Sequence, residues 1–197
     1  MIPLHPLIAS RRSSRAFDPS RQVEDEVLRS LLEAARWAPS GNNLQPWHYV
    51  IFNHQDPAAL EAARACLDEG NQVWARRAPL LLLAVMKETR PNGTIHPRAM
   101  HDLGAANENL LLQAFSLGLH CRPMGGFDAS QASGLAGLSE GYKAVVFIAL
   151  GYPAPVEDLP AEVQLKEAEP RTRRAVDAFT FSSHWGRPYF SPTPKED

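Results

Sequence analysis

Apolar positions recur at helical spacing from Glu24 to Trp37, where Val27, Leu28, Leu31, Leu32 and Ala35 share one face. Glu24, Asp25 and Glu26 place negative charge in the first turn, where the helix dipole favours it. Pro39 ends the segment, because the residue before a proline avoids the helical region. A polar turn, Ser40-Gly41-Asn42-Asn43, then leads through Gln45-Pro46 into Trp47–Asn53, an aromatic and β-branched stretch that reads as a strand. Asp56-Pro57 opens a second helix, with Leu60, Ala63 and Leu67 as its apolar stripe and Gly70 as its expected C-terminal cap. Leu80–Met86 is an unbroken apolar run, the pattern of a strand covered on both faces. Thr89–Pro97 carries two prolines and Asn92-Gly93 and reads as a loop. Leu103–Leu117 is apolar nearly all round, which marks a buried helix, and Gly118 stops it. Strands are expected around His120–Arg122 and over Ala144–Leu150, with Asp128 capping a short helix between them. After Gly151-Tyr152-Pro153 the periodicity fades. Residues 154–197 therefore read as a tail that packs across a partner or is partly disordered. The fold class is α+β, rich in helix.

Composition narrows the picture. A chain of 197 residues, 44% hydrophobic and 21% charged, can bury a full core as one domain. The formal net charge of −2 argues against a protein that coats nucleic acid. Cys66 and Cys121 are the only cysteines, without a CxxC, so neither a disulfide framework nor an all-cysteine zinc site is available, and a reducing cytoplasm suits the chain. No apolar run approaches ~18 residues, and no signal-peptide pattern is present, so no membrane is expected.

Three segments carry candidate chemistry. Arg11-Arg12-Ser13-Ser14-Arg15 gathers three guanidinium groups and two hydroxyls, which suits a dianionic phosphate; a solvated basic arm or a kinase-substrate-like site is the plainer alternative. Pro39–Trp47 is dense in Ser, Gly and Asn and presents backbone N–H groups at low steric cost, suited to a planar heterocycle or simply to a helix-to-strand turn. In Arg122-Pro123-Met124-Gly125-Gly126-Phe127, adjacent glycines after a strand allow the backbone to approach a ligand closely, or make a tight turn before Asp128.

Other chemistry is poorly represented. No GxGxxG follows a strand, no Walker loop exists, and no GxSxG elbow is present. His96 and His101, five apart in an expected loop, make a poor zinc pair, and Cys121 reads as core. No catalytic side chain and no metal site is assigned; a bound cofactor would carry the chemistry.

In this order the segments resemble the FMN-dependent nitroreductase family. Its pattern of Arg-Arg-Ser-x-Arg, Ala-x-x-Ala-Pro-Ser, Asn-x-Gln-Pro-Trp and a later Gly-Gly-Phe turn appears as Arg11–Arg15, Ala35–Ser40, Asn43–Trp47 and Gly125–Phe127. The likeness runs from Arg11 to Pro153.

The resemblance implies a small, mostly antiparallel central sheet flanked by helices in an intertwined homodimer. Residues 1–153 would form the FMN-binding domain, and 154–197 would complete the fold or wrap the partner. It implies that Arg11, Arg12, Ser13 and Arg15 hold the phosphate and ribityl end of FMN. Pro39, Ser40, Gly41 and Asn43 would reach the flavin edge of the opposite subunit. Asn71, placed just before a helical segment, would bond the pyrimidine, and Pro123, Met124, Gly125 and Gly126 would lie along the ring. Arg171 and Arg173 would reach the phosphate, with Arg174 and Arg187 as rivals. Gln45 and Trp47 read as structural. The implied activity is hydride transfer from NAD(P)H through FMN to a flat acceptor, a nitroaromatic or quinone, by a ping-pong route. A flavin-binding module without turnover, or a same-fold dehydrogenation or dehalogenation, is the alternative. Two departures stand out: Trp74 occupies a position where some members carry Lys, and only Lys87–His101 separates the buried strand from the central helix, where many members carry a helical insertion.

Overall fold

The computed structural model describes residues 2–190. The chain divides into two compact units, Met1–Glu167 and Ala168–Asp197. The first unit contains helix α1 (Pro6–Ser10), α2 (Asp25–Arg36), strand β1 (Trp47–Phe52), α3 (Pro57–Ala65), α4 (Glu69–Ala75), β2 (Leu80–Lys87), α5 (Ala99–Ser116), β3 (His120–Met124), α6 (Ala129–Leu135) and β4 (Tyr142–Gly151); α7 (Ala161–Ala168) closes it. The four strands form one antiparallel sheet in the order β1-β2-β4-β3.

The apolar run of β2 is explained by its central place. Leu80, Leu82, Ala84 and Met86 face a core built with Leu28 and Leu31 of α2 and Leu103, Ala106 and Leu110 of α5. Leu81, Leu83 and Val85 face the opposite core with Leu60, Ala63, Trp74 and Ala132 of α3, α4 and α6. Successive side chains of a strand point to opposite faces, so a strand covered on both sides must be apolar at every position. Both faces are closed by helices, as an α+β domain requires.

Several sequence expectations are corrected. The helix opened by Asp56 stops at Ala65, and a second helix starts after Asp68, so Gly70 lies inside α4 rather than capping α3. Asn71 is likewise inside α4, not before it. The break is stabilised by Asp68 N–H and Asp128 N–H, which donate to Gly126 O at 3.1 Å and Cys66 O at 2.8 Å. α5 begins at Ala99, which places His101 in the helix and not in a loop. α1 and α7 carry too little periodic apolar content to be read from sequence; α7 forms because Leu159 and Val163, 4% and 3% exposed, join the α3–α4 face of the core. The Thr89–Pro97 loop closes as a tight turn, with Arg90 N–H donating to Thr94 O at 2.8 Å.

The second unit contains one turn of 3-10 helix, Val176–Ala178, and a bridge between Phe181 and Pro188, with the Phe181 and Trp185 rings 4.7 Å apart. No helix among the described residues is long and apolar enough to cross a membrane.

Both cysteines are free and buried. Burial pushes the Cys121 thiol up to about 12 and also raises that of Cys66. Because the thiolate is the reactive species, raising the pKa leaves almost none of it at pH 8. A thiol reagent at pH 8 is expected to label neither cysteine in the folded protein and both in denaturant; rapid labelling of the native protein would contradict the burial described here.

Candidate functional site

β3 is an edge strand, and the chain covers its outer side with the segment after α1: Ser13 bridges Cys121 in parallel, and Phe17 bridges Pro153. The arginine segment is thereby laid along the sheet edge that ends in the Pro123–Gly126 turn. His120 Nδ1 contacts Ala16 O at 2.9 Å, and the Arg122 guanidinium donates to Ser13 O.

The arginine side chains meet carboxylates. Arg15 Nη1 lies 2.7 Å from Glu167 Oε1, with both side chains largely buried. Ser14 Oγ donates to Glu167 Oε2 at 3.1 Å, and Arg12 Nη2 donates to the Glu167 carbonyl at 3.0 Å. Arg11 Nε is 3.6 Å from Glu108 Oε1, and Ser13 is exposed beside it. Arg122 stands over the ring of buried Trp74, its guanidinium carbon 5.4 Å from the ring centre. Burial lowers the Arg122 pKa, Arg15 pushes in the same direction, and Glu167 opposes both. Arg15 and Arg122 therefore crowd one another beside the Glu167 carboxylate, while Arg11 faces Glu108.

Asn71 is brought to the glycine turn. Its Nδ2 donates to Gly126 O at 3.1 Å. A Cβ at Gly126 would displace the Asp68 carboxylate and lie 3.1 Å from Asn71 Nδ2, so both side chains close directly over the turn. Nine of the expected residues thus lie along β3 and its end: Arg11, Arg12, Ser13 and Arg15 in the segment that bridges Cys121, and Asn71 with Pro123, Met124, Gly125 and Gly126 at the turn that ends the strand. Met124 is the exception in exposure: it is buried and packs in the core.

Pro39, Ser40, Gly41 and Asn43 are held elsewhere, at the N-terminal turn of α5. Gly41 N–H donates to Asp102 Oδ2 at 3.1 Å. His101 Nδ1 lies 3.3 Å from Asp102 Oδ1, and buried His96 places Nε2 at 3.7 Å from Asp102 Oδ2. Asn42, Asn43 and Gln45 all have positive φ, 53°, 54° and 46°. Asparagine tolerates that region better than most residues, but Gln45 does not, and such strain collects at binding loops. Ser40 Oγ accepts the Gln45 N–H at 3.1 Å and Gln45 Nε2 donates to Asn43 O at 3.2 Å, which gives Gln45 its structural role. Trp47 packs against the α2–α5 core. Arg171 and Arg173 belong to the second unit, where both are exposed and Arg173 donates to Thr172 O at 2.7 Å.

At the sequence level Ser14 and Arg122 stand only within their candidate segments, and nothing singles out Asp102 or Glu167. Glu167 lies more than 150 residues from its partners, and no local pattern points to it. Among the described residues no cluster of three or more His, Cys, Asp or Glu could hold a metal. The donors present are cations, hydroxyls and backbone N–H groups, and they already satisfy one carboxylate. That set fits an anionic, phosphate-bearing cofactor such as FMN.

Comparison with known proteins identifies the family. A Thermus thermophilus protein named NADH dehydrogenase is 30% identical over 188 residues, covering 77% of this chain and 89% of its own. A Salmonella typhimurium oxygen-insensitive NAD(P)H nitroreductase is 25% identical, covering 80% and 95%. The crystal structure of an oxidoreductase containing FMN superposes with a TM-score of 0.87 at 30% identity, covering 94% of each chain. The sequence model of the nitroreductase family matches residues 8–152, most of the chain and all three candidate segments, and the chain belongs to that family.

Proposed function

We propose that this chain is an NAD(P)H-dependent FMN oxidoreductase that acts on flat acceptors such as nitroaromatics or quinones by a ping-pong route. The observation that carries the reading is the placement of Arg11–Arg15, Asn71 and Pro123–Gly126 along β3 and the turn that ends it. It is supported by the FMN-containing neighbour and the NAD(P)H nitroreductase relative described above.

In this reading Arg11, Arg12, Ser13 and Arg15 take the phosphate and ribityl chain, since guanidinium groups match phosphate oxygens in fork geometry. Asn71 and the Pro123, Met124, Gly125 and Gly126 backbone orient the ring. When bound, FMN supplies the two-electron chemistry that no side chain here provides. The protein positions the ring and places cations beside it, electrostatic work done in advance of the reaction.

The site is completed by a second copy of the chain. Pro39, Ser40, Gly41 and Asn43 are tied to the start of α5, and Trp37, next to that loop, is 74% exposed. A large aromatic left in water beside a strained, donor-rich loop is the surface expected of an interface.

The test is direct. The purified protein is expected to be yellow, to release FMN on denaturation, to bleach with NADPH and to recover its colour when a quinone is added. A colourless protein that takes up no FMN overturns the reading. Bleaching without recovery would leave a flavin-binding protein with no turnover on that acceptor.

A further inference from the structure

Arg122 has no place in the cofactor contacts named so far, yet it sits among them. It immediately precedes Pro123, donates to Ser13 O and stands on Trp74, one helical turn beyond Asn71. Arg15 and Glu167 act on it electrostatically, and Arg12 is held at the Glu167 carbonyl, so guanidinium groups outnumber the one carboxylate among these neighbours.

A cation held on an aromatic face in a partly dehydrated place is kept there by the ring quadrupole, but it still lacks an anion of its own.

We propose that Arg122 is a further cofactor-binding residue, one that grips the reduced flavin more tightly than the oxidised one. The inference rests on the FMN reading above. Hydride transfer adds two electrons with one proton, so the ring system gains one negative charge. A surplus guanidinium beside the ring then gains an anionic partner, and the interaction is stronger in the reduced state than in the oxidised one. Trp74 fixes the plane of the guanidinium, and Glu167 draws Arg15 aside so that Arg122 carries the unpaired charge.

The experiment is the midpoint potential of protein-bound FMN in the wild type and in three variants: Arg122→Gln, Arg122→Lys and Glu167→Gln. Arg122→Gln is expected to weaken reduced FMN at least tenfold more than oxidised FMN, which lowers the two-electron potential by about 30 mV. Arg122→Lys keeps the charge and is expected to stay much nearer the wild type. Glu167→Gln removes the local anion and is expected to raise the potential, a change opposite in sign that does not depend on the Arg122 variants folding. The inference is overturned if Arg122→Gln binds oxidised and reduced FMN with an unchanged ratio, if Lys behaves as Gln does, or if Glu167→Gln leaves the potential in place. Each of those outcomes leaves the FMN reading intact, whereas failure of the wild-type protein to bind FMN at all removes both.

Discussion

Replacement of Arg11 and Arg15 together by alanine is expected to yield a colourless protein whose affinity for added FMN is lower by about a hundredfold or more. Each charge-assisted hydrogen bond contributes about 1.5–3 kcal/mol, and two such losses reach that range at 1.4 kcal/mol per tenfold. The same substitution strips Glu167 of its ion-pair partner at 2.7 Å, in a place where its side chain is largely buried. Leaving a buried carboxylate unpaired is destabilising in its own right. The two effects are separable. Adding Glu167→Gln to the double variant relieves the unpaired charge and is expected to restore much of the thermal stability without restoring FMN affinity. If FMN occupancy survives in the Arg11/Arg15 variant, or returns fully with Glu167→Gln, the arginine segment is not the phosphate site.

The second large effect is expected at Gly151, the last residue of β4, paired in register with His120. A Cβ there would lie 2.6 Å from Pro79 Cδ and 3.2 Å from Phe17 Cδ1. Neither ring can swing away: Pro79 and Phe17 are both buried, and proline has no rotamer to change. Gly151→Ala should therefore cost about 1–3 kcal/mol through overpacking. For a chain of this length that lowers the Tm by roughly 2–12 °C, at 2–4 °C per kcal/mol. Because Phe17 lies two residues beyond Arg15, the displaced ring is expected to disturb the arginine segment and weaken FMN binding as well. Gly134→Ala is the control. Gly134 is exposed within α6, and a Cβ there meets nothing within 4 Å, so the Tm is expected to hold or rise. Equal behaviour of the two variants would show that β4 yields at Gly151 more easily than its neighbours imply.

Much of the fold was legible because its signals are local. The buried character of β2 follows from seven consecutive apolar residues, and α2, β1 and the long α5 follow from periodicity and punctuation. What misled is equally physical. Leu67 continued the stripe of α3 by spacing, yet the helix ends at Ala65 because backbone bonds from Asp68 and Asp128 to Gly126 and Cys66 offer the chain a better partner than another turn. α7 offers only Val163 as a buried anchor within the helix, too few apolar positions for a periodic signal.

By itself the sequence determined which residue types are available: three clustered arginines, a donor-rich loop, a glycine turn and two cysteines without a CxxC. Those are inventories along the chain, and local spacing suffices to read them. Only the tertiary structure decided which of them meet. The arginine segment lies along the strand that leads into the glycine turn because β3 is a sheet edge that must be covered. Asn71 reaches Gly126 because α4 folds back over that turn. Glu167 answers Arg15, and Arg122 stands on Trp74, through contacts between segments remote in the chain. Such pairings are set by packing and by the need to compensate buried charge, and neither leaves a trace in the order of neighbouring residues.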